Sequence, residues 1–374
     1  MKVFTSILFT SLIMGCMYVD PDIPEDPNIY VNLPDGFSIE LYAEHIENPR
    51  GMALSPNGIL YVGSRSAGNI YALVDIDGNF EVDRKMKIAS GLNMPVGVAW
   101  KDGDLYVSAV DKILRYSQID YRLDNPPAPE IVTDQFPSDQ SHGWKYIAFG
   151  PDDKLYVPVG APCNICDPED EIYSTITRIN SDGSDREIIA HGVRNTVGFD
   201  WHPETGELWF TDNGRDRMGD DIPPCELNRL VHEGAHFGFP WLHGNDVLDP
   251  EFGEEGLNSN LEMTPPVREL DPHVAPLGML FYTGKMFPEE YKNQVFIAEH
   301  GSWNRSEKIG YRITLVTLDD EYNATSYQPF AEGWLRDDEN VYGRPVDLIQ
   351  YFDGSLLLSD DYQNKIYRIS YSDK

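Results

Sequence analysis

A unit of two apolar strands joined by a tight turn recurs six times along this chain of 374 residues. Each copy starts at a Gly or small residue, runs through a short apolar strand, turns at Asp, Asn or Gly, and continues into a second strand rich in Leu and Tyr. The copies read GMALSPNGILYVGS from Gly51, GVAWKDGDLYVSA from Gly97, YIAFGPDDKLYVPVG from Tyr146 and GFDWHPETGELWFTD from Gly198. GMLFYTGKMFPEEYKNQVFIAE from Gly278 has a longer turn, and DLIQYFDGSLLLSD from Asp347 completes the set. A third strand follows most copies, as in NIYAL at Asn69, KILRY at Lys112, TITRI at Thr175, ELNRL at Glu226, YRITL at Tyr311 and KIYRI at Lys365. Self-similarity at this spacing marks a repeat architecture. Six antiparallel units of three or four strands predict an all-β fold, a six-bladed β-propeller. Two stacked β-sandwiches would explain the alternation but not the six recurrences.

Composition narrows the function classes. The formal charge is −33 and 41% of the residues are apolar. So many apolar side chains build an ample core, and so negative a surface repels nucleic acid and anionic lipid. Positive charge is scarce, which makes any convergence of Arg, Lys and His informative.

The first residues read as an export signal. Met1-Lys2 precedes the apolar run Val3–Gly15, which is too short to span a bilayer. Leu12-Ile13-Met14-Gly15-Cys16 resembles a bacterial lipobox, with Cys16 as the acylated residue. The expected organisation is a signal over 1–16, a Pro- and Asp-rich tether over 17–32 and the propeller over 33–374. The protein is expected to be exported, periplasmic or anchored to the outer membrane, and to meet a membrane only through a lipid at Cys16. In such a compartment disulfides persist. Cys163, Cys166 and Cys225 are the candidates for one, and the spacing leaves the pairing open.

Blade topology sorts the polar residues by face. The first and second strands of a unit are antiparallel, so the loop before the first and the loop after the second lie at one end of the channel. Before the first strands stand Arg50, Met94-Pro95, His142 to Lys145, Arg194-Asn195, His273 and Arg344. After the second strands stand Arg65, Ala161, Asp212 to Arg215, Glu299-His300 and Asp360-Asp361. One rim thus collects at least four arginines, three histidines and a lysine. Turn propensity explains Asn, Asp and Gly at such positions but not Arg and His. A guanidinium cluster suits an anionic ligand with several carboxylates, and a His there can act as general base. The acidic run from Asp212 to Asp221, with Glu226 behind it, suits a hard cation such as Ca²⁺ or a solvated loop equally well. Trp144 and Trp303 fall in mouth loops, where they could stack on a ligand or pack as core. His191, His202, His232, His236 and His243 read as structural.

Several motifs together resemble the quinoprotein glucose/sorbosone dehydrogenases. They are HGWKYIAFGPDDKLYVPVG at His142, HGVRNTVGFDWHPETGELWFTDNGRD at His191, HFGFPWLHG at His236 and PHVAPLGMLFYTG at Pro272. AEHGSWNR at Ala298 and GRPVD at Gly343 resemble the sorbosone dehydrogenase branch. The resemblance runs from about Leu33 to Ser370. It implies a propeller that binds pyrroloquinoline quinone (PQQ) and Ca²⁺ at the channel mouth and oxidises a sugar or sugar aldehyde. His142 is then similar to the general base and Arg194 to the group that stabilises charge on the quinone oxygen. Asn195, Arg344 and His273 match cofactor-contacting positions. Gly214 and Arg215 match the backbone carbonyls that hold the cofactor's Ca²⁺. Asp220, Asp221 and Glu226 resemble the acidic stretch of a second calcium site.

Three departures are visible. Ala161, followed by the Cys163/Cys166 pair, stands where glucose dehydrogenases carry the Asp that supports the catalytic His. Either another carboxylate orients His142 or its basicity differs. Met94 and Pro95 stand near the place of a Gln, and the cofactor-binding Lys is replaced by His300, Trp303 or Arg305. A haem-binding CxxCH is absent because Asp167 follows Cys166, which implies a separate electron acceptor. A calcium-dependent lactonase and a non-enzymatic binding propeller are the competing functions. The first needs carboxylates around its metal; the second tolerates any residue at His142.

Overall fold

The computed structural model describes residues 23–373. The expected signal and Cys16 lie outside these residues. The six repeats form six sheets around a central channel, antiparallel except for the short strand Ala235–His236 that joins blade 3 in parallel, so the fold is the expected six-bladed propeller. Blades 1 to 5 span residues 49–89, 98–133, 148–191, 199–270 and 276–331. Blade 6 takes three strands from residues 345–371 and its outermost strand from Phe37–Glu44. That N-terminal strand pairs antiparallel with Lys365–Tyr371, placing Ile39 opposite Ile369 and Leu41 opposite Tyr367.

The repeat pattern has a direct packing cause. The second strand of a blade is covered on both faces by neighbouring blades, so Leu155–Val159 and Leu356–Asp360 are buried along their whole length. Outer strands are more open: half the residues of Arg84–Ala89 are exposed and one is buried. The buried apolar residues fall into six main clusters, each drawing on adjacent blades: Tyr61 with Leu105, for example, and Trp209 with Phe281. Each fully buried Leu, Ile or Phe contributes roughly 1.5–3 kcal/mol. Stability is therefore distributed around the ring. The leading Gly of the repeat is a matter of close approach. A Cβ on Gly97 would sit 2.3 Å from the Lys145 carbonyl oxygen, and one on Gly198 would sit 2.1 Å from that of Leu277. These glycines let the innermost strands of adjacent blades meet backbone to backbone.

Two features lie beyond the sequence reading. Residues 27–32, assigned there to the tether, dock on the propeller. Pro27–Ile29 forms a 3₁₀ turn, Asn28 pairs its side chain with both backbone groups of Ile39, and Val31 is buried between blades 5 and 6. The apolar side chain at Val31 finds its partners only where blades 5 and 6 meet. Blade 4 also carries a long insertion between its third and fourth strands, with the single α-helix among the described residues, Gly253–Asn258. No helix among the described residues is long and apolar enough to cross a membrane. Of the three candidate cysteines, Cys163 and Cys166 are bonded to each other and Cys225 is free and buried.

Candidate functional site at the channel mouth

The rim loops enclose a cavity of about 300 Å³. Arg50 and Arg65 come from blade 1, His142 and Trp144 from the loop entering blade 3, and Arg194 and Asn195 from the loop entering blade 4. Asn213, Gly214 and Asp216 follow the second strand of blade 4. His273 enters blade 5, His300 and Trp303 leave its second strand, and Arg344 enters blade 6. Residues from position 50 to position 344 are thus brought to one place.

His142 sits in a left-handed backbone conformation, φ 48°, which non-Gly residues adopt rarely and His more readily than most. Its Nδ1 lies 2.8 Å from the Ala161 carbonyl oxygen. A carbonyl only accepts, so Nδ1 carries the hydrogen and Nε2 keeps a free lone pair. The peptide of Ala161 therefore does the orienting that the sequence comparison assigned to a carboxylate. A Cβ on Gly160 would sit 2.6 Å from that of His142, so this segment packs tightly against it. Burial pushes the imidazole down to about 3, and the charges of Arg194 and Arg65 add to the effect against the Ala161 bond. His142 is thus a neutral imidazole whose Nε2 carries no proton. Lys145, expected on the rim, is instead buried beneath this loop. Its ammonium donates to the carbonyls of Val110 (2.6 Å) and Gly143 (2.8 Å), and burial lowers it to about 8.

The guanidinium groups are fixed mostly by backbone oxygens. Arg194, 4% exposed, donates from Nε to Asn164 O (2.9 Å), from Nη1 to Asn213 O (3.0 Å) and from Nη2 to Asn164 Oδ1 (3.0 Å). Arg344 donates to the carbonyls of His300 and Gly301 at 3.1 and 3.2 Å. Arg50 pairs with Asp361 at 3.0 Å, and His300 Nε2 donates to the same carboxylate at 2.8 Å. Burial favours the neutral acid at Asp361, but His300 and Arg50 outweigh it and hold the carboxyl below its usual range. Burial pushes His300 down to about 4. Arg65 lies 4.0 Å over the Trp144 ring and has no ion pair among the described residues. Trp144 Nε1 and Arg50 Nε are buried donors without an acceptor. The mouth therefore offers more donors than it satisfies internally. His273, at φ 65°, donates from Nε2 to Gly219 O at 2.8 Å.

Some expected residues do not reach this cavity. Arg305 turns outward and donates to Asp220 O at 2.5 Å and to Asp221 at 3.4 Å, so it is not a mouth cation. The Arg215 guanidinium is buried against Asp249 (2.5 Å) and Glu251 (3.2 Å), leaving only its backbone near the mouth through Gly214. Asp220, Asp221 and Glu226 do not assemble into one ligand set. Asp221 is exposed, Asp220 accepts from the Ser306 amide, and Glu226 is buried in a strand. Strand pairing places Glu226 directly opposite Asp212. Both line a small void of about 10 Å³ behind the mouth, together with His243. Burial raises Asp212 to about 6; burial and the Asp212 charge raise Glu226 to about 8. Two buried acids in register suit a shared proton or a cation. Asn164 and Asp216 are contributors the sequence reading did not single out; their place beside the Cys163/Cys166 pair and the acidic run was the available signal.

Residues 127–302 match the profile of the Glucose / Sorbosone dehydrogenase family, and residues 248–371 match a TrAA12-like profile. An uncharacterized protein of Borreliella burgdorferi is 38% identical over 365 residues, covering 91% of each chain. Among solved structures, the fold is similar to the holo PQQ domain of pyranose dehydrogenase from Coprinopsis cinerea. The TM-score is 0.77 at 19% identity, over 94% of this chain and 99% of that one. The calcium structure of the Trichoderma reesei family AA12 enzyme gives 0.76 at 20% identity, over 92% and 97%. The PQQ-bound aldose sugar dehydrogenase of Streptomyces coelicolor gives 0.64 at 20% identity, over 91% and 100%. Fold and mouth define a β-propeller with a cationic, histidine-bearing pocket. The chain belongs to one family with the Borreliella protein, and its central part matches the glucose/sorbosone dehydrogenase profile.

Proposed function

We propose that this protein is a PQQ- and Ca²⁺-dependent dehydrogenase that oxidises a sugar or a sugar aldehyde, with the sorbosone dehydrogenase branch as its nearest chemistry. One observation carries the reading: Arg50, Arg65, Arg194 and Arg344 converge with a neutral His142 in one cavity of a chain whose net charge is −33. PQQ is a flat tricarboxylate. The unsatisfied donors Trp144 Nε1 and Arg50 Nε, the unpaired Arg65 and the cavity of about 300 Å³ fit such a group. When bound with Ca²⁺, it supplies the hydride acceptor and the Lewis acid.

The chain's own residues then have distinct tasks. Arg344, Arg65 and Arg50 hold carboxylates. Asn195, His273, His300 and Trp303 line the same pocket. The backbone at Gly214 and Arg215 serves the cofactor's cation, and the facing acids Asp212 and Glu226 provide oxygens for a second one. His142 Nε2 takes the proton of the sugar hydroxyl while the Ala161 carbonyl holds the opposite nitrogen. Arg194 keeps a positive charge where negative charge develops. A separate acceptor removes the electrons. Export, with a lipid at Cys16, completes the proposal, and the Cys163–Cys166 bond supports an oxidising compartment.

The test adds PQQ and Ca²⁺ to cofactor-free protein. Saturable quenching of tryptophan fluorescence, from Trp144 and Trp303 at the mouth, reads cofactor uptake. Dye reduction across a panel of aldoses and ketoaldoses reads turnover. Uptake with turnover is the expected result, and the absence of both refutes the reading.

A further inference from the structure

The loop after the second strand of blade 3 touches both groups to which the mouth's chemistry is assigned. The Ala161 carbonyl holds His142 Nδ1 at 2.8 Å, and the Ala161 amide donates to the Arg194 carbonyl at 2.8 Å. Three residues on, Asn164 supplies two of the three hydrogen bonds that hold the Arg194 guanidinium. Its side-chain amide also imitates a strand partner for Asp216, accepting from the Asp216 amide (2.8 Å) and donating to the Asp216 carbonyl (3.0 Å). One side chain thus ties the loop to Arg194 and to the segment that carries Gly214. The loop has no β-ladder of its own. Its restraints are these bonds and the Cys163–Cys166 link, which closes a ring around Asn164 and Ile165.

We infer that Asn164, held in the ring closed by Cys163–Cys166, is the positioning residue for Arg194. The physical reason is geometric. A guanidinium on a long side chain has rotamer entropy to lose, and fixed acceptors on two of its nitrogens remove that freedom before substrate arrives. Asn164 meets no reacting atom; it acts by fixing the direction in which Arg194 points. The Cys163–Cys166 bond keeps the acceptors in place, so the same seat loosens when the bond is opened. The inference rests on the proposed role of Arg194 for its effect on turnover, but not for its effect on Arg194 itself.

The experiment reads the two separately. Cofactor-free wild type, Asn164→Ala, Asn164→Asp and reductant-treated wild type are labelled with phenylglyoxal, and modification of each arginine is followed by peptide mass mapping. Arg194 labelling is expected to rise about tenfold in Asn164→Ala, the scale of losing the one charge-assisted bond to Oδ1 while the backbone carbonyl of residue 164 still accepts from Nε, and to rise similarly after reduction, with Arg344 unchanged. Asn164→Asp retains an oxygen at the guanidinium and keeps Arg194 protected, which separates positioning from unfolding. In PQQ- and Ca²⁺-loaded protein, Asn164→Ala is expected to lower kcat about 10²-fold while KM and PQQ affinity move less than about threefold. Unchanged Arg194 labelling in Asn164→Ala, or after reduction, overturns the inference. Failure of wild type to take up PQQ would instead refute the cofactor reading and leave the labelling result standing.

Discussion

The channel has a cavity at each end, each of about 300 Å³, and the two differ in the cationic groups that line them. The mouth is lined by loops that precede the innermost strands or follow the second ones, and it gathers four arginines and three histidines. The other cavity is lined where the innermost strands end, by Tyr146, Asp200, Trp201, Phe281, Leu348 and Gln350 among others, without Arg, Lys or His. Its one carboxyl, Asp200, is raised by burial to about 6 and spent on the amides of Trp201 and Phe281. The propeller scaffold therefore makes the same hole twice, and the loops make it cationic once.

That contrast can be broken or sharpened experimentally. His142→Ala at the mouth is expected to lower kcat by about 10²–10⁴, read by dye reduction in protein with unchanged thermal unfolding; wild-type turnover would remove His142 as the base. Arg344→Ala is expected to weaken PQQ binding about 10- to 100-fold in a fluorescence titration, as for losing a charge-assisted contact. Without cofactor, the His142 ring resonances are expected not to titrate between about pH 5 and pH 8, because the folded-state value lies near 3. The sign for stability follows. The unfolded ring takes up a proton below about 6.5 and the folded ring does not, so this site costs stability progressively as pH falls from about 6.5 toward about 3. The smallest effect is expected at the far cavity, where Gln350→Ala should leave kcat and PQQ affinity within about twofold. A larger loss there would mean that the two ends are not chemically separate.

How much of this was legible follows the distance over which each feature acts. The six blades were readable because Gly51, Gly97, Gly198 and Gly278 and the strands behind them answer to the same neighbour in each repeat. The mouth was readable because strand direction alone places the loops of Arg50, His142, Arg194 and Arg344 at one end. The direction a side chain takes from its loop was not. Arg305 finds partners at Asp220 and Asp221, far away in the chain, and Lys145 has two carbonyls beneath it, so both leave the rim. The orienting of His142 by a peptide oxygen was also hidden, since every residue has one. Asn164 carries no motif; its role exists only once position 164 meets positions 194 and 216.

The seam in blade 6 has a consequence for how the molecule comes together. Phe37–Glu44 finds its partner more than three hundred residues downstream, at Lys365–Tyr371. Such a pairing is among the slowest a chain can make. Until residues 365–371 have been synthesised, Phe37–Glu44 lacks its strand partner and the growing arc exposes the apolar faces of its end blades. An unpaired strand is a template for a second chain. Locking the circle is thus both the last act of folding and the act that withdraws the molecule from aggregation.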